Sequence, residues 1–348
     1  MKPIYLFLIA LLAGLAGACR SGDTTPRPAV YHWESDFSLT PEERQWLDEQ
    51  HIQRIYLRLF DIDWDEGLQA AVPVGVLQAP DTVPRITRQI VPTFFITNRT
   101  FEHLSEVETD SLALRLVRKA QTKLRDQLGA PTAPEWQFDC DWTEGTRDRY
   151  FQFLETVNSV LKPGGATLSA TIRLHQVKYH QRTGVPPVDR GMLMFYNMGT
   201  VDDPGTTNSI LDLQTAGDYY YNFDSYPLPL DLALPIFRWG VVFRDGKMVR
   251  LINNLSDPGL SDTSRFVFRD GTHVEVRKST YLDGYYLYAG DLIRLEWVAA
   301  GQLQSAARDL RRMLNRPPEW VSFYYLAPET IKYYSHEELE TVFHLLAH

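Results

Sequence analysis

The sequence predicts an α/β protein, a closed (β/α)8 barrel with a β-rich insertion before the last strand. Short apolar runs with strand character alternate with amphipathic helical runs over most of the 348 residues. Such alternation is typical of a parallel sheet, and eight strands favour a barrel over an open sheet. Acidic residues stand at the ends of two of these strands, where parallel α/β folds place their functional groups.

The N-terminus has the features of an export signal. Lys2 supplies the positive start, and residues 4–15 form an apolar run that is too short to span a bilayer as a mature helix. Residues 1–18 are therefore interpreted as a signal peptide.

Cys19 is a candidate lipidation site. It follows Ala16, Gly17 and Ala18, a run that resembles a bacterial lipobox with Ala in place of the usual Leu. We expect cleavage before Cys19 and lipidation of its thiol, with residues 19–28 as the lipidated cysteine and a flexible tether. This predicts a membrane-anchored lipoprotein of the bacterial cell envelope, facing the periplasm or the surface. The alternative is an ordinary secretory signal cut near Ala18.

Composition and charge argue against several classes of function. The formal net charge is −9 and no basic stripe occurs, which argues against nucleic-acid binding. Once Cys19 is lipidated, Cys140 has no disulfide partner, and its place on an apolar strand face indicates a small buried residue. No zinc-type spacing of Cys and His occurs, and we expect no metal, no cofactor and a monomer.

The first half of the chain supplies four predicted strands. The first helix is predicted from Thr40 as N-cap, with Pro41 at its first position and Glu43 completing a capping box. A long amphipathic helix is predicted over 112–128, and a further helix follows strand four and stops at Gly164. The four strands are 31–34, 52–60, 89–97 and 135–142.

The second half supplies the remaining strands. They are predicted at 167–174, 192–197, 231–237 and 319–326. A second capping box, formed by Ser335 and Glu338, opens the last helix. Residues 29–348 are therefore assigned to one barrel domain.

The alternation of strands and helices is broken between strands seven and eight. Asp245-Gly246 and Asp270-Gly271 each stand between β-like runs, which is a hairpin signal. Residues 244–296 are interpreted as a β-rich insertion. Insertions on the loop rim of a barrel often shape a substrate cleft.

Strand four carries two carboxylates on one face. If 136–142 is a strand, Asp139 and Asp141 project to one side and the apolar residues to the other. Carboxylates on a buried strand are costly unless they are hydrogen-bonded or functional. The motif FDxDWxE occurs twice, at 60–66 and at 138–144. A strand end satisfied by backbone amides and a nearby Arg is the structural alternative; we favour it for the first copy and function for the second.

These motifs resemble those of a known family. The run at 138–144 resembles the DxDxE signature that chitinase-like glycoside hydrolases carry at the end of strand four of a TIM barrel. Residues 194–197 (MFYN) resemble their strand-six M-x-Y-D/N motif, and Leu234-Pro235 resembles the run that opens strand seven. The chain also resembles an uncharacterised group of bacterial barrel lipoproteins. The resemblance covers strands four to seven and implies a TIM-type barrel.

The resemblance implies a glycoside hydrolase that acts on an amino-sugar or another envelope or environmental glycan. Asp139 and Asp141 match the family's motif by position. Glu144 stands one position later than the family's Glu, since Thr143 has the inward phase, and a turn after Trp142 is needed to bring Glu144 over the barrel mouth. In this interpretation Glu144 or Asp141 is the proton donor and Asp139 is its electrostatic partner.

Further side chains are candidates for substrate binding. The resemblance places Tyr196 and Asn197 near the sugar. Arg173 and His175 stand at the end of strand five, where side chains of a barrel reach the substrate. A surface position at a helix start is the alternative for His175.

Three tryptophans are considered because aromatic rings stack on sugars and these lie near predicted strands. They are Trp33, Trp239 and Trp320. Core packing is the alternative for each of them.

Two other classes of function are consistent with the sequence. The first is a non-catalytic barrel lipoprotein that binds a glycan or a partner protein, which the displaced Glu144 favours. The second is a metal-dependent hydrolase with Asp61, Asp63, Asp139 and Asp141 as oxygen ligands. This second alternative requires the two acidic clusters to converge. The position of the Glu144 side chain distinguishes the hydrolase from the binding protein.

Overall fold

A computed structural model describes residues 25–79, 87–130, 132–255 and 257–347. The predicted signal peptide and Cys19 lie outside these residues. In the described part of the chain, no helix is long and apolar enough to cross a membrane.

The elements are numbered in chain order. The strands are β1 (Arg27–His32), β2 (Arg54–Asp65), β3 (Ala70–Val74), β4 (Gln89–Ile96), β5 (Glu135–Asp139), β6 (Thr167–Arg173), β7 (Arg190–Met194), β8 (Leu230–Pro235), β9 (Arg238–Arg244), β10 (Lys247–Asn253), β11 (Phe266–Phe268), β12 (His273–Val276), β13 (Thr280–Leu282), β14 (Tyr285–Leu287), β15 (Leu292–Trp297) and β16 (Trp320–Tyr324). The α-helices are α1 (Pro41–Glu49), α2 (Asn98–His103), α3 (Glu106–Leu128), α4 (Arg147–Leu161), α5 (Leu174–Lys178), α6 (His180–Thr183), α7 (Leu213–Gly217), α8 (Ala300–Met313), α9 (Pro328–Ile331) and α10 (His336–Ala347).

Eight of the described strands close into a parallel barrel. Their order around the barrel is β1, β2, β4, β5, β6, β7, β8 and β16, and β16 pairs back with β1. The remaining strand of this sheet, β3, pairs antiparallel with β2. The predicted fold class, an α/β barrel of the (β/α)8 TIM type, is confirmed.

The barrel strands are buried on both faces. All six residues of β8 are buried, for example, and five of them are apolar, which is why such strands are apolar runs rather than strictly alternating ones. Several polar groups inside the barrel are paired. The Tyr31 hydroxyl donates to Gln137 Oε1 at 2.5 Å, and Arg54 Nη1 lies 2.5 Å from Glu135 Oε2. This pairing offsets the cost of burying them.

Helix starts agree with the capping signals in the sequence. The Thr40–Glu43 capping box opens α1, and Ser335 and Glu338 exchange hydrogen bonds at the start of α10. The helix predicted over 112–128 is longer than expected, because a capping box of Ser105 and Glu108 starts α3 at Glu106.

Three barrel strands end three or more residues away from their predicted ends. β5 stops at Asp139 and β7 stops at Met194, so that the residues after them lie in loops at the barrel mouth. β2 continues to Asp65 and forms a hairpin with β3. The first FDxDWxE copy, at 60–66, therefore runs along a hairpin rather than ending a strand.

The insertion before the last barrel strand is antiparallel. It begins at Arg238, earlier than the predicted residue 244, and forms a sheet in the order β10, β9, β15, β12, β11, with a separate β13–β14 hairpin. Asp245 and Gly246 both have positive φ, at 50° and 72°, as a type I′ hairpin turn requires. The insertion has its own apolar core, which includes Val242, Val274 and Ile293.

Candidate functional site

A cleft lies at the carboxyl ends of β5, β6, β7 and β16. It encloses a cavity of about 460 Å³. A second cavity of about 330 Å³ shares Asp141, Arg173, Tyr196 and Asn197 with the first, so that the two are lobes of one cleft. The first lobe is lined by Trp33, Glu34, Arg58, Phe95, Asp139, Asp141, Arg173, Tyr196, Asn197, Phe237, Trp239, Asn253, Tyr324 and Tyr325.

A larger cavity lies elsewhere, between the insertion and the helices α8 and α10. Its volume is about 530 Å³, and Trp297 and Tyr333 are among its lining residues. It contains none of the residues that the sequence predicted for the site. The candidate site is therefore the cleft at the barrel mouth.

Arg173 holds the carboxylates of Asp139, the last residue of β5, and of Asp141, which follows that strand. It is the last residue of β6, which pairs in parallel with β5. Its Nε donates to Asp141 Oδ1 at 2.6 Å, and its Nη2 donates to Asp139 Oδ1 at 3.2 Å. The guanidinium thus bridges two carboxylates from one direction, a geometry to which its planar fork is suited.

Asp139 is the buried member of this cluster. Its side chain is 8% exposed, and it also accepts a hydrogen bond from the Thr171 hydroxyl at 2.5 Å. Burial raises the pKa of Asp139, the guanidinium of Arg173 opposes that rise, and the Asp141 carboxylate adds to it. Burial lowers the pKa of Arg173, but the two carboxylates outweigh burial and raise it above its usual value.

Tyr196 and Asn197 follow β7 and border both lobes. The Tyr196 ring stacks on Tyr324 with centroids 4.9 Å apart, and burial raises the pKa of its hydroxyl. Asn197 has a positive φ of 56°, which Asn tolerates better than most residues. Its backbone N–H donates to the Ile210 carbonyl at 2.8 Å.

Aromatic side chains form one wall of the first lobe. Trp33 meets Tyr324 edge-on with centroids 5.6 Å apart, and Phe237 meets Trp239 at 5.1 Å. Arg58 donates to the Trp33 carbonyl at 3.1 Å and lies over the indole. Such a wall offers ring faces and edges to a ligand with apolar patches, as sugars have.

Glu144 does not line the cleft. Its side chain is 62% exposed and forms an ion pair with Arg182 at 3.1 Å. Glu144 is therefore not brought over the barrel mouth, as its expected role of proton donor requires. Because β5 ends at Asp139, the chain turns toward α4 before residue 144 is reached.

Thr143, which has the inward phase in the motif, does not replace the carboxylate. Its side chain is exposed, and its backbone N–H donates to Thr146 Oγ1 at 3.0 Å. Trp142 anchors the same turn, since its indole N–H donates to the Thr183 carbonyl at 2.8 Å.

The other predicted substrate-binding residues differ in where they lie. Trp239 lines the first lobe and His175 lines the second, where burial lowers the pKa of the imidazole. Trp320 does not line the cleft. It is 1% exposed inside the barrel, under the guanidinium of Arg54 at 3.8 Å. Its role is core packing, the alternative that the sequence left open.

The first acidic cluster does not join the second. Asp61 accepts from Arg58 Nε at 2.7 Å, and Asp63 pairs with Arg99 at 2.9 Å. Among the described residues, no group of three or more His, Cys, Asp or Glu side chains has the geometry to hold a metal ion. The observed pairing is the structural role expected for the copy at 60–66, and it disfavours the metal-dependent alternative.

Sequence reasoning missed several lining residues. Tyr324 and Tyr325 end the predicted last strand and could have been found by the strand-end rule applied to the acidic residues. Arg58 lies within a predicted strand, where nothing in its spacing indicates that it supports a cleft wall.

Comparisons with solved structures identify the fold. The spore cortex-lytic enzyme SleL of Bacillus cereus aligns with a TM-score of 0.51 at 15% identity, over 92% of this chain and 74% of that one. A chitinase from Chromobacterium violaceum aligns with a TM-score of 0.53 at 12% identity, over 91% and 98%. The Group IV chitinase of Ostrinia furnacalis aligns with a TM-score of 0.51 at 9% identity, over 93% and 100%.

This chain has the fold of chitinase-like glycoside hydrolases. The resemblance inferred from the strand-four and strand-six motifs is thereby confirmed at the level of fold. No protein-family model and no curated protein matches the sequence. These structural alignments establish the architecture. Because the identities are only 9 to 15%, the alignments do not establish the activity, which depends on the residues of the cleft.

Proposed function

We propose that this chain binds a glycan in the cleft at the barrel mouth, and that it does so as a binding protein rather than as an acid-catalysed hydrolase. The observation that carries the proposal is the bridge from Arg173 to Asp139 and Asp141. Retention of the glycoside-hydrolase fold and the aromatic wall support a sugar ligand.

Hydrolysis of a glycosidic bond needs a protonated carboxyl group that reaches the leaving oxygen. Asp141 is the accessible carboxylate, with its side chain 54% exposed, and its Oδ1 accepts from Arg173 Nε at 2.6 Å. Asp139 is buried under Arg173 and Thr171. Glu144 lies outside the cleft. In this arrangement none of the three carboxyls is both in reach of a ligand and free of an arginine partner.

The same groups are suited to binding. The oxygens of Asp141 can accept hydrogen bonds from sugar hydroxyls or amide groups, and the Asn197 side chain can both donate and accept. Trp33, Trp239 and Tyr324 supply the apolar faces on which sugar rings stack. The two lobes together offer room for more than one sugar unit.

A second candidate is hydrolysis of an envelope or environmental glycan, with Asp141 as proton donor and Asp139 as its electrostatic partner. Burial and the neighbouring Asp141 raise the pKa of Asp139, which is the behaviour of a carboxyl pair that shares a proton. This candidate requires a bound sugar to displace Arg173 from Asp141.

We further propose that the protein is an exported monomer, anchored to the membrane of the bacterial envelope by a lipid on Cys19. The support is the apolar run and the small residues before that cysteine. In this position the cleft meets glycans of the envelope or of the surroundings.

The test measures binding and turnover together. Purified protein is titrated calorimetrically with the tetramer of N-acetylglucosamine, with soluble peptidoglycan fragments and with mixed polysaccharides, and each mixture is then analysed by mass spectrometry. Binding of one of these without cleavage supports the proposal. Cleavage that is lost in Asp141→Asn, and kept in the matched control Asp148→Asn on the surface of α4, supports the second candidate. Absence of binding to all of them contradicts both.

A further inference from the structure

Glu296 is a buried carboxylate that belongs to the insertion and not to the barrel. It lies on β15 directly opposite Trp239 on β9, in antiparallel register. Residues directly opposite one another on antiparallel strands project to the same face of a sheet. Because Trp239 lines the cleft, this face of the insertion is turned toward the barrel mouth.

Both oxygens of Glu296 are occupied. Oε2 accepts from the Trp239 indole N–H at 3.0 Å and from the backbone N–H and hydroxyl of Ser209, each at 2.6 Å. Oε1 accepts from Arg294 Nε at 2.6 Å, and both side chains of this ion pair are 0% exposed. A charge buried to this degree persists only with such a set of partners.

The same ion pair holds the segment after β7. Arg294 donates to the Val201 carbonyl at 2.9 Å and to the Asp203 carbonyl at 2.7 Å. Ser209 stands at the other end of this segment. The segment folds closely on itself, since a Cβ on Gly199 would lie 2.9 Å from Ser209 Cα.

This segment supports the cleft residue Asn197. The residue after Ser209 is Ile210, whose carbonyl accepts the Asn197 backbone N–H at 2.8 Å. Glu296 is therefore connected to two sides of the cleft. It accepts a hydrogen bond directly from the indole of Trp239, and through Ser209 it holds the neighbouring Ile210, whose carbonyl binds the Asn197 backbone.

We propose that Glu296 is a positioning residue for the ligand, through which the insertion sets the orientation of Trp239 and the width of the cleft. The inference rests on the proposed function in that the ligand is the glycan of this cleft. A side chain of the insertion, outside the carboxylate cluster of the barrel, thus determines how a sugar stacks in the cleft.

The first test needs no ligand. Acrylamide quenching of tryptophan fluorescence is compared in the wild type, Glu296→Ala, Trp239→Phe and the double variant. We expect Glu296→Ala, which has no side-chain acceptor, to increase quenching, and Trp239→Phe to remove that increase, because the freed indole is the one at position 239. An increase that persists without Trp239, or no increase at all, overturns the proposal.

A second variant distinguishes loss of the hydrogen bond to Trp239 from loss of folding. Glu296→Asp keeps a negative charge beside Arg294 but is one methylene shorter, so that it cannot hold Trp239 and Ser209 together. Its near- and far-ultraviolet circular dichroism and its thermal unfolding are measured alongside. We expect the same increase in quenching from a folded protein, and quenching equal to that of the wild type contradicts the proposal.

The second test uses the tetramer of N-acetylglucosamine. Glu296→Asp should weaken binding by about three- to tenfold, and its effect should be smaller in a Trp239→Ala background, where only the part that acts through Ser209 and Asn197 remains. Additive effects of the two changes on Kd mean that Glu296 acts on stability alone, and the inference fails. If the wild type does not bind the tetramer while the quenching result holds, the proposed ligand is wrong and the positioning of Trp239 stands.

Discussion

Arg173 Nε lies 2.6 Å from Asp141 Oδ1, and its Nη2 reaches the neighbouring Asp139. The guanidinium of Arg173 therefore stands between two acidic groups at the carboxyl end of β5. The contact holds Asp139 and Asp141 in place, the two acidic residues that match the strand-four motif by position. It is the reason that we favour binding over hydrolysis.

Removal of Arg173 is expected to destabilise the protein at neutral pH. Arg173→Met leaves the buried Asp139 carboxylate without its cation, which should cost about 2 to 4 kcal/mol of the free energy of unfolding. The control Arg182→Met, which breaks the exposed pair with Glu144, should change it by less than about 0.5 kcal/mol. Chemical denaturation at pH 7 measures both.

The loss of unfolding free energy in Arg173→Met should be smaller at acidic pH than at pH 7. Without the guanidinium, burial keeps the pKa of Asp139 above its unfolded value. A carboxyl whose pKa is raised on folding favours the folded state when protonated, so the deficit relative to wild type falls as pH drops through that raised pKa. A deficit of equal size at pH 7 and pH 4.5 contradicts this account of Asp139.

His32 should make the protein sensitive to moderate acid. Burial lowers its pKa to about 4, and its Nδ1 has no hydrogen-bond partner in the described residues. The unfolded chain binds a proton near pH 6.5 and the folded chain does not, so stability is lost as pH falls from about 6.5 to 4, by roughly 2 to 3 kcal/mol. His32→Leu should flatten the pH dependence of unfolding, whereas His344→Leu on the exposed face of α10 should not.

Trp33 should contribute to ligand affinity. Trp33→Ala removes an aromatic face of the first lobe and should weaken glycan binding about tenfold, the equivalent of one stacking contact. Trp297→Ala is the matched control, since Trp297 is 39% exposed and lines the separate cavity. Equal effects of the two changes in a calorimetric titration argue against the barrel mouth as the binding site.

Glu144 should be dispensable for glycan binding and for any turnover in the cleft. Glu144→Gln breaks only the surface pair with Arg182, so glycan affinity and any turnover should equal those of the wild type. Asp141→Asn should weaken binding, because it removes a charged acceptor from both lobes. A loss of affinity or turnover in Glu144→Gln reinstates the role that the motif alone predicted.

Replacement of Cys19 by Ser should release the protein from the membrane fraction. The thiol is the proposed attachment point of the lipid, and the variant leaves nothing else in the proposed anchor to hold it. Cell fractionation followed by immunodetection measures how much of each protein remains in the membrane fraction. Retention of the variant at the membrane to the wild-type extent shows that the lipoprotein assignment is wrong.

The sequence predicts the parts of this molecule that depend on local patterns. Burial of barrel strands on both faces produces apolar runs, and the Thr40 and Ser335 caps signal helix starts, so the barrel could be inferred from the sequence. Asp139 and Asp141 could be found because they end a strand. The direction of Glu144 could not, since it depends on β5 ending at Asp139 and on a turn fixed by distant hydrogen bonds.

Long-range pairing accounts for the rest of what was missed. Arg173 lines both lobes of the cleft, where the sequence places it, and it also bridges Asp139 and Asp141, a contact that the sequence does not indicate. Glu296 meets Ser209 across 87 positions of sequence. Neither contact leaves a periodic signal, because each forms only when segments distant in sequence have folded against each other.

A crystal structure of the protein with the tetramer of N-acetylglucosamine tests the central claim most directly. We predict an intact sugar chain in the cleft, stacked on Trp33 or Trp239, with the bridge from Arg173 to Asp139 and Asp141 unbroken. Cleaved sugars beside Asp141 with Arg173 displaced, or a sugar chain bound away from the barrel mouth, would contradict the account.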